Sequence, residues 1–183
     1  RRRLEMAFSL SSRPDSRHLT ITVRRQDQGL VSRHLHDAVK VGDVLTISQA
    51  LGEFSMPADL PGKILLLSAG SGITPVMAML RDLQGGRYQG DVVFLHVCHA
   101  PDDLIFGKQL AAIAGEFAEL SLVVHYSATE GRLTPEVLAL EVPDLAQRST
   151  WMCGPTGFMD VVAAYWHAQG LLAPLFSERF VGA

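Results

Sequence analysis

"LLLSAGSGITPVMAML", residues 65–80, is the stretch on which the fold turns. An apolar run of strand character enters a glycine-bearing turn, Ala69-Gly70-Ser71-Gly72, and leaves into residues spaced like one face of a helix. Thr74 is expected as the N-cap and Pro75 as the first helical residue. Ile73, Val76, Met77 and Leu80 then share the buried face. Such a unit aims backbone N–H groups and the positive helix end at whatever lies above the turn, and a pyrophosphate suits that position. Two rivals fail on spelling. No Gly-Lys-Ser/Thr follows, as a P-loop requires, and Ser71 lacks the glycine two residues before it that a nucleophile elbow needs. A third glycine is absent too, so the usual dinucleotide fingerprint is not met and a merely structural bend stays open.

Working outward, apolar runs at 63–68, 91–98, 120–127 and 149–153 read as strands. Between and after them, 75–83, 104–117, 135–140 and 157–168 read as helices, with Leu110, Ile113, Ala114 and Phe117 on one face of the second. Strand and helix in alternation predict a doubly wound parallel sheet covered on both faces. Upstream the regime differs. Residues 18–24 and 43–48 alternate with period two and predict β-strands, with a short helix over 30–39 between them. "MPADLPGK" (56–63) carries two prolines and a glycine and marks the boundary, giving a strand-rich region over 1–58 and an α/β domain over 62–183.

A second turn of the same kind ends the last apolar run: "WMCGPTGFMD", 151–160. In a parallel sheet both turns fall at the carboxyl ends of strands, where ligands bind. Cys153 taken alone reads as a small buried thiol at a strand end.

Composition excludes several classes. The 183 residues carry a formal charge of −3 and are 48% hydrophobic, an ordinary balance with no basic excess for nucleic acid. Arg1-Arg2-Arg3 reads as a solvated strand edge. Two cysteines, Cys98 and Cys153, make neither a disulfide framework nor a metal site, and a reducing cytoplasmic setting is expected. No apolar run is long enough for membrane insertion. The strand-like opening, Leu4 to Ser9, has no starting signal before it, so earlier residues are expected to precede it. His34, His36, His96 and His99 are expected at the surface or in turns, with no metal. Asp102 and Asp103 read as a helix N-terminal acidic pair, and Trp151 and Trp166 as core or interface residues.

Seven segments, in this order and spacing, carry a resemblance: "AFSLSS" (7–12), "GLVSRHLHD" (29–37), "VGDVLTISQALGEF" (41–54), "LLLSAGSGITPVMAMLR" (65–81), "DDLIFGKQL" (102–110), "WMCGPTGFMD" (151–160) and "SERF" (177–180). Together they resemble the ferredoxin-NADP reductase superfamily, above all the flavin reductase modules that feed oxygenases, desaturases and flavohaemoglobins. The resemblance implies an all-β flavin-binding barrel, its first strands lying before this chain's start, followed by an α/β NAD(P)-binding domain. It implies FAD, and NADPH or NADH, as cofactors. Phe8 would lie against the isoalloxazine, with the Ser9 hydroxyl near flavin N5. Gly29, Leu30, Val31 and Ser32 would open a short helix onto the flavin pyrophosphate, and Phe54 would lie beside the adenine. Gly70, Gly72, Thr74 and Pro75 would hold the NAD(P) pyrophosphate, while Cys153, Gly154 and Pro155 guide nicotinamide C4 towards N5. Phe180 would cover the other flavin face as a gate, with Glu178 near the reacting edge.

Two departures stand out. Met6 occupies the place of the motif arginine that pairs with flavin phosphate, leaving Arg3 and Arg33 as substitutes. His99 stands where NADPH-preferring relatives often carry an arginine, and Arg132 is the other cation able to reach a 2′-phosphate. The implied activity is a flavin-dependent NAD(P)H reductase that passes single electrons to a ferredoxin-like iron-sulfur protein, or to a fused ferredoxin or haem domain. The reductase part of a flavohaemoglobin-like nitric oxide dioxygenase is the second reading. A nonenzymatic nucleotide-binding module that has lost its flavin is the third.

Overall fold

The computed structural model describes residues 6–180. Arg3 therefore lies outside the described residues, as does the basic run that contains it. Helix α1 (Leu30–Asp37) comes first, followed by the α/β unit. That unit runs β1 (Lys63–Ala69), α2 (Ile73–Gly85), β2 (Asp91–Cys98), α3 (Gly107–Glu116), β3 (Leu120–Tyr126), α4 (Ser127–Glu130), α5 (Pro135–Glu141), β4 (Ser149–Cys153), α6 (Thr156–Ala168) and β5 (Leu175–Glu178). All five strands are parallel, in the order β3-β2-β1-β4-β5. The doubly wound sheet read from the sequence is present.

Two-sided burial explains the apolar runs. Ile64, Leu66, Val92, Phe94 and Trp151 pack under α2 and α3, whereas Leu65, Leu67, Val93, Leu95 and Met152 pack with residues of α5 and α6. Alternate residues of one strand thus serve opposite cores, so no polar alternation survives. The chain enters the sheet at its centre, runs to one edge, and returns to place β4 on the other side of β1. The connections leave β1 and β4 in opposite directions, which makes the crevice at their carboxyl ends the expected ligand position of an open α/β sheet.

Several expectations are corrected. Residues 18–24 and 43–48 form no strands, and one isolated bridge, Leu10 with Ile21, stands where barrel pairing was expected. Leu19, Val44 and Ile47 are exposed. A strand exists only when another takes up its N–H and C=O groups along its length, and among the described residues that single bridge, with the Ser11 N–H donating to the Thr20 carbonyl, is all the backbone pairing that reaches 18–24, while no bridge reaches 43–48. Helix α2 begins at Ile73 with Gly72 as its N-cap, so Thr74 and Pro75 lie inside the first turn. Proline is tolerated there because first-turn N–H groups have no partner within the helix. The Thr74 hydroxyl instead donates to the Ser71 carbonyl at 3.1 Å. Asp102 and Asp103 sit in a single 3-10 turn ahead of α3 rather than on its first turn, because Phe106 adopts a left-handed backbone and delays the helix. His96 is fully buried within β2, not in a turn. The exposed helical histidines and His99 do lie at the surface. Trp151 and Trp166 are core residues, as read. Among the described residues no helix is long and apolar enough to cross a membrane.

Candidate functional site

The two glycine turns meet at the crevice. β1 and β4 are register partners, with Ser68 opposite Cys153, so the turns that follow them emerge side by side. They touch backbone to backbone: a Cβ built on Gly72 would strike the Cys153 carbonyl, and one on Gly154 would lie 3.1 Å from the Ala69 side chain. Glycine at 72 is therefore required by this contact, while at 154 a side chain would be crowded by Ala69 and by the Phe158 ring at 2.9 Å. Gly70 is different. Its φ of +54° lies in the left-handed region, and nothing stands within 4 Å of where its Cβ would be, so the turn has an open side for a ligand. Pro155 caps α6, whose first turn also faces the crevice.

A third strand completes the site. β5 pairs with β4 so that Cys153 stands opposite Glu178. β5 is held at its start by the Trp151 indole, which stacks on Phe176 with centroids 4.7 Å apart and donates from Nε1 to the Ser55 carbonyl at 3.1 Å. On the upstream segment, the Ser9 hydroxyl donates to Glu178 Oε2 at 3.1 Å. That segment is anchored to the α/β unit by Arg81 of α2, whose guanidinium donates to the Ser11 carbonyl and lies 5.1 Å from the Phe106 ring centroid. Burial lowers the Arg81 pKa. Ser9, Glu178 and Cys153, far apart in sequence, thus converge on one edge.

Around this edge lie the aromatic residues read from the sequence. Phe54 packs against the core beside Trp151, Phe8 is half-buried, and Phe180 follows β5 at the rim, 38% exposed. A cleft of about 510 Å3 runs between Glu53-Phe54 and Leu175 to Arg179. The Cys153 thiol is fully buried, and its pKa is pushed up to about 12 by that burial and then by the negative Glu178. It is therefore a neutral, inert thiol rather than a nucleophile.

Other candidates stand apart from this cluster. Gly29 is the N-cap of α1, and Ser32 is tied into the same turn, accepting from the Gln26 N–H at 3.2 Å and donating to the Gly29 carbonyl at 3.4 Å. The first-turn N–H groups around Leu30 and Val31 have no partner within the helix. Among the described residues, α1 makes its side-chain hydrogen bonds and ion pairs only with 23–37: His36 to the Val23 carbonyl, Arg25 to Asp37, and Arg33 to Asp37 at 3.8 Å. His99 is exposed past the end of β2, and its carbonyl accepts from the Ala128 N–H, which joins the loops after β2 and β3. Arg132 is exposed in the loop beyond α4, on that same side of the crevice. Met6, half exposed, offers no charge to a phosphate.

The sequence reading misses β5 as a strand, Arg81 as the tether, and the polar pair Ser68 and His96 behind Cys153. The last had a signal, since each interrupts an otherwise apolar strand. The residues present fit the two implied cofactors. The open Gly70 turn beside a helix N-terminus suits a pyrophosphate, and the aromatic cleft with the Ser9 hydroxyl at its edge suits a flat heteroaromatic ring.

Comparison with known proteins agrees. The family model described as the oxidoreductase NAD-binding domain matches residues 66–164. An NADPH oxidoreductase of Mycobacterium tuberculosis is 38% identical over 95% of this chain and 47% of its own length. The NADH oxidoreductase HCR of Escherichia coli is 41% identical over 95% of this chain and 53% of its own length. The chain spans about half the length of these curated relatives. Among solved structures, the flavohaem-like FAD/NAD-binding domain of nitric oxide dioxygenase from Vibrio cholerae superposes with a TM-score of 0.81 at 29% identity, covering 94% of this chain and 76% of that one.

Proposed function

The chain belongs to the oxidoreductase NAD-binding domain family, within the ferredoxin-NADP reductase superfamily, and from that premise we propose that it serves an NAD(P)H-dependent flavoprotein reductase. The observation that carries the reading is the convergence of Ser9, Glu178 and Cys153 beside the Gly70 to Gly72 turn. FAD, when bound, takes up hydride from NADPH or NADH and releases electrons singly; that chemistry is the cofactor's.

The chain's own residues supply position and orientation. Gly70, with Gly72, Thr74 and Pro75 at the head of α2, admits the dinucleotide pyrophosphate. Gly154 and Pro155 steer the nicotinamide over Cys153, whose uncharged thiol fills the space without competing chemically. Ser9 presents its hydroxyl oxygen at the flavin edge, and Glu178, half-buried, accepts the Ser9 hydroxyl hydrogen bond and so fixes its orientation. Phe8, Phe54 and Phe180 flank the flavin, and Phe180 at the exposed rim is the side chain free to yield to the nicotinamide. Gly29 to Ser32 cradle the flavin pyrophosphate with the N-terminus of α1. A reactive distance of roughly 3–3.5 Å is what this arrangement has to deliver.

Electrons then leave to a ferredoxin-like iron-sulfur protein or to a fused ferredoxin or haem domain. The likeness to the Vibrio cholerae domain favours a second reading, the reductase part of a flavohaemoglobin-like nitric oxide dioxygenase. The test is anaerobic mixing of the purified full-length protein with NADH and with NADPH while the flavin absorbance is followed. Bleaching of bound flavin is expected. A colourless protein that also fails to bleach added FAD would return the chain to a nonenzymatic nucleotide-binding role.

A further inference from the structure

Helix α2 meets both regions of the chain. Its first turn follows the Gly70 to Gly72 bend, and its later turns carry the upstream segment that bears Ser9. Arg81 donates to the carbonyl of Ser11, which is fully buried. One position on, Asp82 lies 3.5 Å from Arg13, and at Gly85 an added Cβ would strike the Arg13 guanidinium. The segment thus lies along α2 from Arg81 to the end of the helix. Two residues before Ser11, the Ser9 hydroxyl donates to Glu178 Oε2 at 3.1 Å, a second attachment to the α/β unit. The reductase reading uses that second attachment and gives no work to the first.

We propose that Arg81 is a positioning residue for hydride transfer: by gripping the Ser11 carbonyl it sets the place of the Ser9 hydroxyl against Glu178 and the Cys153 end of β4. The effect on hydride transfer rests on the reductase reading; the seating of residues 8–12 on α2 does not.

The contact acts on the main chain, so it fixes the path of the backbone rather than one side chain. Two residues of extended chain span at most about 7 Å, which leaves Ser9 little slack once Ser11 is held. The held piece is braced in turn: the Ser11 N–H donates to the Thr20 carbonyl at 2.8 Å, and Ser12 Oγ accepts from the Thr20 N–H at 3.1 Å. On the other side, Arg81 stands seven residues after Thr74, about 10 Å along the axis of a regular helix. A helix does not stretch, so the pyrophosphate turn at its head and the Ser9 segment near its end keep one separation. The guanidinium has support of its own, lying 5.1 Å from the Phe106 ring centroid. Phe106 holds a left-handed backbone, φ +63°, which a bulky residue keeps only where its surroundings over-determine it. A fastener for the helix alone is a poorer account, because Ile73, Val76, Met77 and Leu80 are fully buried and already seat α2 on the sheet. What Arg81 adds is the place of the upstream segment.

The experiment uses the full-length protein with its flavin and two readouts, hydrogen exchange by mass spectrometry and flavin reduction in stopped flow. In Arg81→Met, exchange over residues 8–12 should quicken while β1 keeps its protection. At saturating NAD(P)H, flavin reduction should slow about tenfold, an effect of misplacement, with the NAD(P)H Kd little changed. Arg81→Lys, which still donates to a carbonyl, should return both readouts most of the way to wild type. In a Ser9→Ala background Arg81→Met should cost no more than about twofold, because the group it places is gone. If Arg81→Met does not fold, Arg81→Gln, whose amide ends short of the guanidinium's reach, carries the same readouts. Unchanged exchange over 8–12 in Arg81→Met overturns the proposal, as does faster exchange with an undiminished rate. So does a rate loss shared equally by Arg81→Lys and Arg81→Met, or a full tenfold loss that persists in the Ser9→Ala background. A protein without flavin refutes the reductase reading and takes the kinetic role with it, whereas exchange over 8–12 still decides the seating.

Discussion

The two ends of the sheet treat buried polar groups in opposite ways. At the amino end, Arg148 is almost wholly buried and its donors are matched: Nη2 to Asp91 Oδ2 at 2.6 Å, Nε to Asp144 Oδ1 at 2.6 Å, and Nη1 to Asp91 Oδ1 at 3.0 Å and the Ile64 carbonyl at 3.2 Å. Lys63 adds a second cation to Asp144 at 2.7 Å. At the carboxyl end, His96 Nε2 lacks a partner, Gly70 has an open side, and Ser9 and Glu178 meet in a half-buried bond. A saturated network has nothing left to offer a ligand, whereas unsaturated groups on a rigid frame do. On the function proposed above, the difference sets stability at one end and chemistry at the other.

The harshest test of that division is Arg148→Leu. It strips partners from two carboxylates and a strand carbonyl and should cost about 3–4 kcal/mol. Asp91 is about half exposed and can rehydrate, which keeps the loss below that of a wholly buried pair. Urea unfolding measures it. NAD(P)H affinity of the folded variant should be unchanged; a loss of affinity with little loss of stability would reverse the assignment of the two ends.

Next comes acid. His96 stays neutral in the folded chain down to pH about 4, while the unfolded chain takes up the proton near 6.5. As pH falls through that window the unfolded state binds a proton that the folded state refuses. Stability should therefore drop by about 1.4 kcal/mol per unit, to about 3 kcal/mol in all, and be flat above pH 6.5 as far as this group is concerned. Urea titrations of wild type and His96→Asn at stepped pH isolate the effect, since the variant lacks it. Parallel pH profiles for the two proteins would mean that the buried imidazole carries no such penalty.

How legible each end is follows from where its partners lie in the chain. The amino-end network was invisible: Arg148 meets Asp91 57 positions away, and no local pattern encodes that contact. At the carboxyl end both glycine turns were readable, because each is a strand, a turn and a helix in continuous sequence. Their mutual contact at Gly72 and Cys153 was not, since it depends on β4 returning beside β1. The strands β1 to β4 were readable as largely apolar runs. β5 was not, because its four residues are half exposed at an edge and show no strong pattern. Residues 18–24 and 43–48 illustrate the converse: alternation marks competence to pair, and pairing needs a partner strand.

A smaller change sharpens the division from the chemical side. Ser9→Ala removes a part-buried hydroxyl whose bond to Glu178 is worth about 1–2 kcal/mol of stability. If Ser9 stands at the flavin edge as proposed, flavin reduction in stopped flow should nevertheless fall about tenfold. If the stability loss and the rate loss were reversed in rank, the carboxyl end would be a structural joint like the amino end.

The smallest effect concerns the choice of nicotinamide, and it separates charge from geometry within the carboxyl end. Arg132 is exposed and has no ion pair among the described residues, whereas its neighbour Glu130 is engaged, accepting from the Tyr126 N–H at 2.6 Å and lying 3.6 Å from His125 Nδ1. The loop thus holds its acid and presents its base. His99, on the adjoining loop, lacks the planar fork of donors by which a guanidinium grips a phosphate and is the weaker reader of one. If Arg132 pairs with the 2′-phosphate of NADPH, Arg132→Ala should raise the NADPH Kd about tenfold, the value of one charge-assisted hydrogen bond at an exposed site, and leave the NADH Kd within twofold. Because such a contact is solvent-exposed, the NADPH penalty should also shrink as salt is added. Equal losses for both nucleotides would show that Arg132 shapes the loop rather than reads the phosphate, and discrimination would then have to come from the backbone of the loops after β2 and β3.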